Sequence, residues 1–323
     1  MYIMHPLDKV VDTMYKIFID GKEGTTGLRI FDRLALRSDI EVITLPEELR
    51  KDASARKQAL NSCDIAFLCL PDAAAIEAAA MVENPAVRII DTSTAHRTDP
   101  DWVYGLPELS KQQNSAVENS ARVAVPGCHA GGFVTLAAPL VANGLLPKDA
   151  LLTCHSVTGY SGGGKKMIAQ YESDDRSALL GAPRQYGITQ QHKHLREMKV
   201  ITGLDISPIF CPIVSDFYSG MVTTVPLFAS QLNSGYGVED IKALYKSIYT
   251  GPVIEYAEDA DEGGFISGAG LSGLDKAQVS VFGNDERILL VNRFDNLGKG
   301  ASGAAIECMN IMLGLDKTMG LDL

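Results

Sequence analysis

The sequence is short of positive charge, has a single tryptophan, and contains no Cys-x-x-Cys pair. Lysine and arginine number 29 against 40 aspartates and glutamates, a formal net charge of −11 at pH 7. Such a chain is ill suited to bind nucleic acid or an anionic membrane surface, since both demand concentrated cations. A few local cations could still hold an acidic small molecule. The six cysteines lack metal-ligand spacing, so no metal site is expected. Several lie in apolar runs, such as Cys69 in Ala66-Phe67-Leu68-Cys69-Leu70, and read as reduced core residues. The expected compartment is therefore the cytoplasm. No stretch approaches ~18 apolar residues without charge, which argues against a membrane-spanning helix. Met1 to Tyr15 lacks a basic flank followed by an apolar run, so it reads as a short extension before the first strand rather than a secretory signal. No internal repeat or low-complexity segment is visible.

What is present suits a folded protein. The chain has 323 residues, 46% hydrophobic and 21% charged, enough for two domains of ~150 residues each. In the first part, short apolar runs alternate with helical patterns. Lys16–Asp20, Ile40–Leu45, Asp64–Leu70 and Val87–Asp91 read as strands, with helices after the first and over Ala73–Met81. That alternation predicts crossover units and a parallel sheet, an open α/β architecture. After about residue 125 the pattern changes. A helix is expected near Gly131, strands over Leu151–Thr158, Pro208–Val214 and Met221–Phe228, and a helix over Val238–Tyr249. Val279–Phe282 and Ile288–Val291 are spaced to pair as a hairpin, giving a more antiparallel α+β second domain. Ala301–Leu313 reads as an apolar helix able to pack back on the first domain.

Gly21, Gly24 and Gly27 stand between the first strand and its helix. Glycines there permit a tight turn and let a diphosphate approach backbone amides at a helix N-terminus, with Thr25 and Thr26 as extra donors. The spacing is not G-x-G-x-x-G, but its place after the first strand of a parallel sheet predicts a dinucleotide. The second strand ends Leu45-Pro46-Glu47, and Arg37 and Ser38 just before it could meet a ribose 2′-phosphate. Arg37 could equally be a cation favoured at a helix C-terminus. NADP is thus expected over NAD.

Cys128 differs from the other cysteines. It lies in Val123-Ala124-Val125-Pro126-Gly127-Cys128-His129-Ala130-Gly131-Gly132, between an apolar strand and an apolar helix. A thiol at a helix N-terminus is expected to have its pKa lowered from ~8.5. A thiolate beside a nicotinamide points to attack on an activated acyl group, loss of the leaving group, and hydride reduction of the thioester to an aldehyde. That scheme needs a proton donor and acceptor. His192 and His194, in Gln191-His192-Lys193-His194-Leu195-Arg196-Glu197, are the candidates, and on a helix only one of the two should reach the cleft.

Taken together, six motifs resemble the N-acetyl-gamma-glutamyl-phosphate reductase family in its shorter, type 2 form. They are Ile19-Asp20-Gly21-Lys22-Glu23-Gly24-Thr25-Thr26-Gly27, Asp91-Thr92-Ser93-Thr94-Ala95-His96-Arg97, Tyr104-Gly105-Leu106-Pro107-Glu108-Leu109, Pro126-Gly127-Cys128, His192-Lys193-His194 and Asn296-Leu297-Gly298-Lys299-Gly300-Ala301. The resemblance implies a semialdehyde-dehydrogenase-like fold: a Rossmann-like parallel-sheet NADP-binding domain from residues 1–127 with 299–323, and an α+β catalytic and oligomerisation domain from 128–298. It implies reversible NADPH-dependent reduction of N-acetyl-L-glutamyl 5-phosphate to N-acetyl-L-glutamate 5-semialdehyde and phosphate, in arginine biosynthesis. Cys128 matches the family nucleophile and His192 the acid/base, with His194 on the substrate side. The Gly24–Gly27 loop would hold the diphosphate, and Asn296 and Gly298 would lie near the nicotinamide. Arg97 falls where a cation could hold phosphate or carboxylate, or could be a surface ion pair. Ser156 and Lys165, in Ser156-Val157-Thr158-Gly159-Tyr160-Ser161-Gly162-Gly163-Gly164-Lys165, could contact substrate, though Ser156 suits ordinary turn duty too. Dimers or tetramers are implied.

Two departures stand out: residues before Met14 extend past the usual start, and His129 stands where the longer form has a tyrosine. The rival readings are an aspartate-semialdehyde dehydrogenase, a dinucleotide-sensing regulator without catalysis, and a cysteine acyltransferase without redox chemistry. The His-x-His segment and the Pro-Gly-Cys context favour the acetylated glutamyl substrate. Cys128 with a candidate base argues against the sensor, and the glycine turn against the acyltransferase.

Overall fold

A computed structural model describes residues 14–323; the N-terminal extension read from the sequence lies outside the described residues. The first sheet holds six parallel strands, β1 (Tyr15–Asp20), β2 (Ile40–Ile43), β3 (Ile65–Leu68), β4 (Arg88–Asp91), β5 (Val103–Tyr104) and β6 (Arg122–Ala124), in the order β2-β1-β3-β4-β6-β5. The crossovers include helices α1 (Thr25–Leu34), α2 (Ala53–Leu60), α3 (Asp72–Ala80) and α4 (Lys111–Asn119). All four residues of β3 are buried, as expected of a central strand covered on both faces. The strand order reverses at β1, so β1 and β3 diverge into crossovers on opposite sides and open a crevice at their carboxyl ends. The short strand β5 and helix α4 left no clear period in the sequence and were not anticipated, whereas β6 is the apolar strand read just before Cys128.

The second unit opens with α5 (Cys128–Ala142) and adds β7 (Thr153–Gly159), α6 (Gly164–Tyr171), β8 (Arg184–Gln185), α7 (His194–Thr202), β9 (Ile209–Ser215), β10 (Met221–Phe228), α8 (Val238–Ile248), β11 (Ile254–Tyr256), β12 (Ala277–Gly283) and β13 (Arg287–Phe294). Its seven strands follow the order β11-β12-β13-β10-β7-β9-β8 and are mixed: β7–β9 and β11–β12 run parallel, the other pairs antiparallel. The anticipated hairpin is β12–β13.

Helix α5 begins at Cys128, three residues earlier than expected from its first apolar periodicity, and that start places the thiol on the helix's first turn. The helix carries Pro139 in its interior, which leaves the carbonyl of Thr135 without an intrahelical donor. Tyr249, just after α8, donates its hydroxyl to that carbonyl at 2.6 Å, and Tyr245 donates to Leu136 at 2.5 Å. Tyr249 thus satisfies the carbonyl that Pro139 leaves free.

After β13 the chain forms a π-helical turn, Gly298–Ser302, then α9 (Gly303–Met312), all ten of whose residues are buried. Ala304, Ile306 and Met309 join Ile17, Ile30 and Ile90 in the core of the first sheet, so the last helix does return there. No helix among the described residues is long and apolar enough to cross a membrane.

The π-turn is held by charge. Lys299 Nζ lies 2.7 Å from Glu108 Oε1 and also pairs with Glu307, all three side chains being almost wholly buried. Two carboxylates around one ammonium leave one negative charge in excess, and Glu307 takes up the difference: burial and then Glu108 push its pKa to about 8. The folded state thus prefers Glu307 protonated, while an unfolded glutamate ionises in its ordinary range. Stability should fall as pH rises from about 5 to 8 and level off above. Glu307→Gln is expected to shrink that slope in melting temperature against pH; a slope equal to wild type would contradict the assignment.

Candidate active site

The crevice at the carboxyl end of the first sheet opens into two cavities that meet at the glycine turn, with Leu70 bordering both. One, of about 540 Å³, runs from Gly24, Thr25, Thr26 and Gly27 past Thr92–Thr94 and Arg97 to Cys128, His192, His194 and Asn296. The other, of about 600 Å³, lies against Gly21 and the ends of β1 and β2.

The glycines of the turn are there for space. Gly21 has φ +84°, and a side chain on it would strike the backbone of Cys69 after β3. A Cβ on Gly27 would sit 2.6 Å from the carbonyl oxygen of Gly21. The N-cap of α1, Gly24, supplies no side-chain cap, so the first amides of α1 remain open at the cavity. An open cradle of this size beside a helix N-terminus fits a dinucleotide diphosphate.

Cys128 faces the same cavity from the first turn of α5. The Pro126–Gly127 turn before it is pinned by Glu197 of α7. Glu197 Oε1 accepts the Gly127 amide and the Tyr104 hydroxyl, each at 2.8 Å, while Oε2 pairs with Arg97 Nη1 at 3.1 Å. Arg97 also donates to the carbonyls of Val125 and Thr92. A side chain on Gly127 would collide with Arg97 and His194, so only glycine fits before the thiol. Arg97 is thus a buried ion pair that shapes the turn, not the surface pair considered from sequence, and it lines the cavity with guanidinium N–H groups to spare.

The thiol differs from expectation. Burial pushes the Cys128 pKa up to about 11; backbone amides and Arg97 pull it down, and Glu197 opposes them. Desolvation outweighs the helix terminus, so the group is a thiol at neutral pH and needs a base to become a nucleophile. Both candidate bases face the cavity. The segment becomes helical only at His194, so the rule that separates residues two apart on a helix does not apply to His192. The half-buried His192 uses Nδ1 to accept the His194 amide at 3.2 Å, and burial and Lys193 lower its pKa. His194 is only 6% exposed, with Nδ1 unpartnered, and burial followed by Arg97 holds it well below the ordinary histidine range.

Several anticipated residues are not at either cavity. Arg37 is spent on Asp39, at 2.9 and 2.6 Å, and on Asn310 at 2.6 Å, and so ties α1 to α9. Ser38 is exposed nearby. The basic residues that do line the second cavity are Lys22, Arg50, Lys51 and Arg56, of which Arg56 pairs with Asp20 at 2.8 Å and Arg50 with Glu23 at 3.0 Å. Gly298 packs under the carbonyl of Leu274, away from the cavity, whereas Gly300 and Ala301 line it. Lys165 is exposed outside the cavity, which the preceding Gly162–Gly164 line. Ser156 is fully buried on the inner face of β7. Asn296 does line the cavity, held by the Gly220 amide at 2.9 Å and Ser161 at 3.0 Å.

Sequence reasoning passed over Glu197, Tyr186 and Lys193. Lys193 lines the cavity at the N-cap of α7 and has no ion-pair partner among the described residues. Its place between two candidate histidines was the available signal. Tyr186 carried none.

Two family models match the chain: a semialdehyde dehydrogenase NAD-binding domain over residues 37–117 and a semialdehyde dehydrogenase dimerisation domain over 128–296. A relative from Nostoc sp., N-acetyl-gamma-glutamyl-phosphate reductase 2, is 44% identical over 318 residues, 95% of this chain and 99% of the relative. N-acetyl-gamma-glutamyl-phosphate reductases from Rhizobium meliloti and Burkholderia cenocepacia are 46% and 43% identical, each over 92% of this chain and over 98% and 97% of their own length. Among solved structures, aspartate semialdehyde dehydrogenase II complexed with ASA from Vibrio cholerae superimposes with a TM-score of 0.70 at 16% identity, over 94% of this chain and 99% of that one. Aspartate semialdehyde dehydrogenase with NADP from Candida albicans gives 0.62 at 14% identity, over 93% and 99%. At that identity the structures establish the fold: a parallel-sheet Rossmann-like unit joined to a mixed-sheet unit.

A thiol with its pKa near 11 makes a direct prediction. Iodoacetamide labelling of Cys128 should rise about tenfold per pH unit between about pH 7 and 9. A plateau reached by pH 8 would show a preformed thiolate instead.

Proposed function

The chain belongs to the N-acetyl-gamma-glutamyl-phosphate reductase family, and from that membership we propose the reaction its residues carry out. It is an NADP-dependent oxidoreductase of arginine biosynthesis that reduces N-acetyl-L-glutamyl 5-phosphate to N-acetyl-L-glutamate 5-semialdehyde and phosphate, reversibly. The observation that carries this reading is a single cavity bounded by the glycine turn at one end and by Cys128 with two histidines at the other.

Cys128 passes its proton to His192 as its sulfur attacks the acyl carbon. The carbon–oxygen bond to phosphate breaks, and His192 hands the proton to the departing phosphate, leaving a thioester on Cys128. NADPH, when held by the residues of the glycine turn, would supply the hydride that reduces the thioester carbon. The aldehyde leaves, and His192 relays a proton from water to restore the thiol. His192 suits this role better than His194, because His194 is more deeply buried and has the cation Arg97 opposing its protonation. His194, Arg97 and Lys193 face the anionic parts of the substrate, Lys193 being the cation free to take the phosphate. Gly24, Thr25, Thr26 and Gly27 would hold the diphosphate, and Asn296 would border the nicotinamide end. The adenosine half would be held in the second cavity by Gly21 and its basic rim of Arg50 and Lys51.

The same reading divides the chain into an NADP-binding unit of residues 1–127 with 299–323 and a catalytic and oligomerisation unit of 128–298. A homo-oligomer follows from the dimerisation domain. The outer face of the second sheet, where Ile209, Phe228 and Leu289 are exposed, is the proposed contact in a dimer or tetramer. The proposed compartment is the cytoplasm.

The test is the reverse reaction, followed by absorbance of reduced nicotinamide with NADP, phosphate and N-acetylglutamate semialdehyde. Phosphate-dependent NADPH formation is expected with this substrate and not with aspartate semialdehyde. Cys128→Ser should abolish it while NADP binding persists, and His192→Asn should cost ~10²-fold or more while His194→Asn costs less. Turnover by Cys128→Ser, or a response to aspartate semialdehyde alone, would overturn the assignment.

A further inference from the structure

Four side chains link the interior of the second sheet to the wall of the active-site cavity. Thr223 of β10 and Ser156 of β7 are cross-strand partners, with their hydroxyl oxygens 3.0 Å apart. Ser156 Oγ lies 2.7 Å from His129 Nδ1, and His129 Nε2 lies 2.6 Å from the hydroxyl of Tyr186. Thr223 and Ser156 are fully buried and His129 is 3% exposed, while Tyr186 reaches the cavity that holds Cys128. His129 is the residue next to the nucleophile on α5, turned so that both its ring nitrogens are engaged.

The protons in this chain can run in only two directions. If Tyr186 donates to His129, then His129 Nδ1–H donates to Ser156, Ser156 donates to Thr223, and the Thr223 hydroxyl proton is left over. Thr223 Oγ1 has no second partner among the described residues, so that order buries a donor with nothing to accept it. Run the other way, Thr223 donates to Ser156, Ser156 to His129 Nδ1, and His129 Nε2–H to the Tyr186 oxygen. Every buried proton is then used, and the one left over is the Tyr186 hydroxyl proton at the cavity. Orphaned buried donors are rare, whereas an acceptor with a spare lone pair is tolerated. The second order wins.

The direction also holds across pH. Burial, with His192 adding to it, keeps the His129 pKa down at about 3, so the ring stays neutral and cannot reverse the chain by taking a second proton. Burial also keeps the Tyr186 hydroxyl protonated well past its ordinary range.

We propose that Tyr186 is a further substrate-binding residue, its hydroxyl donating to the reacting carbonyl oxygen beside Cys128, and that His129 is the positioning residue that aims it. This rests on the reductase reading above. The oxygen gains negative charge when sulfur or hydride adds to its carbon, so a fixed donor there stabilises the transition state more than the ground state. Ser156, anticipated as a substrate contact, instead acts at two removes.

Tyr186→Phe keeps the ring and removes the proton. In the reverse assay its kcat should fall by about 10²-fold, the scale set by removal of one oxyanion donor, with KM for NADP unchanged and the loss constant from about pH 6 to 9. His129→Phe should show the same loss, and the double variant no more than either alone. Wild-type turnover reports on the reductase reading by itself. An active wild type beside a Tyr186→Phe variant within about threefold of it would overturn this proposal and leave the reductase reading intact. Should His129→Phe fail to fold, nitrogen NMR of wild-type protein labelled with 15N-histidine decides. A neutral His129 with its proton on Nε2 is expected at pH 6 to 9, and a proton on Nδ1 or a doubly protonated ring would overturn the assignment.

Discussion

Five helices begin at one cavity, and in none of them does the N-cap side chain take up the first amides. These are α1 at Gly24, α3 at Pro71, α5 at Gly127, α6 at Gly163 and α7 at Lys193, all lining residues. Of the helices that start elsewhere, α2 is capped by Asp52 and α4 by Ser110, while the N-caps of α8 and α9, Gly237 and Ser302, make no side-chain cap bond. Each open terminus carries roughly half a positive charge and a set of unpaired N–H groups. In a chain with a net charge of −11 these termini, with Arg97 and Lys193, give the cavity local positive character suited to the proposed diphosphate, acyl phosphate and developing oxyanion. The parallel sheet supplies α1 and α3, the mixed sheet supplies α6 and α7, and α5 joins the two units.

The open termini do not by themselves activate the thiol. Crowding around Cys128 costs the thiolate more than the end of α5 returns, so its pKa stands at about 11. The same crowding gives Gly127 its narrow slot between Arg97 and His194 and lets Glu197 fix the turn. Precise placement and a preformed thiolate compete for the same space, and here placement prevails. As the proposed nucleophile, such a thiol depends on a neighbouring base. The buried histidines divide the labour: His129 has both nitrogens committed inside the protein, whereas His192 keeps one free at the cavity.

What was legible in the sequence was local. Apolar runs gave β1 to β4 and the strand before the thiol, glycine spacing gave the turn after β1, and the helix after the thiol was read to within three residues of its start, because each rests on near neighbours. What was not legible depends on distant partners. Arg37 looked free for a phosphate until Asp39, Asn310 and Met319 were seen to occupy it. Arg97 read either as a substrate-holding cation or as a surface ion pair; it lines the cavity, and its carboxylate partner is buried a hundred residues on, in Glu197. Ser156 lies on a strand whose inner face could not be chosen without the register that brings Thr223 opposite. Gly298 and Lys165 belong to motifs whose neighbours, Gly300 with Ala301 and Gly162 with Gly164, are the residues at the cavity. Tyr186 follows a two-residue strand in a polar stretch without period, and only the fold joins it to His129.

The central claim is that Cys128 carries the acyl group in the chamber these helices make. Mixing enzyme, NADP and N-acetylglutamate semialdehyde without phosphate isolates that step, because the thioester then has no phosphate to accept it. A rapid burst of NADPH approaching one per chain is predicted, with the peptide containing Cys128 heavier by one N-acetylglutamyl group in the mass spectrum. No burst, or an acyl group on any other residue, would contradict the account.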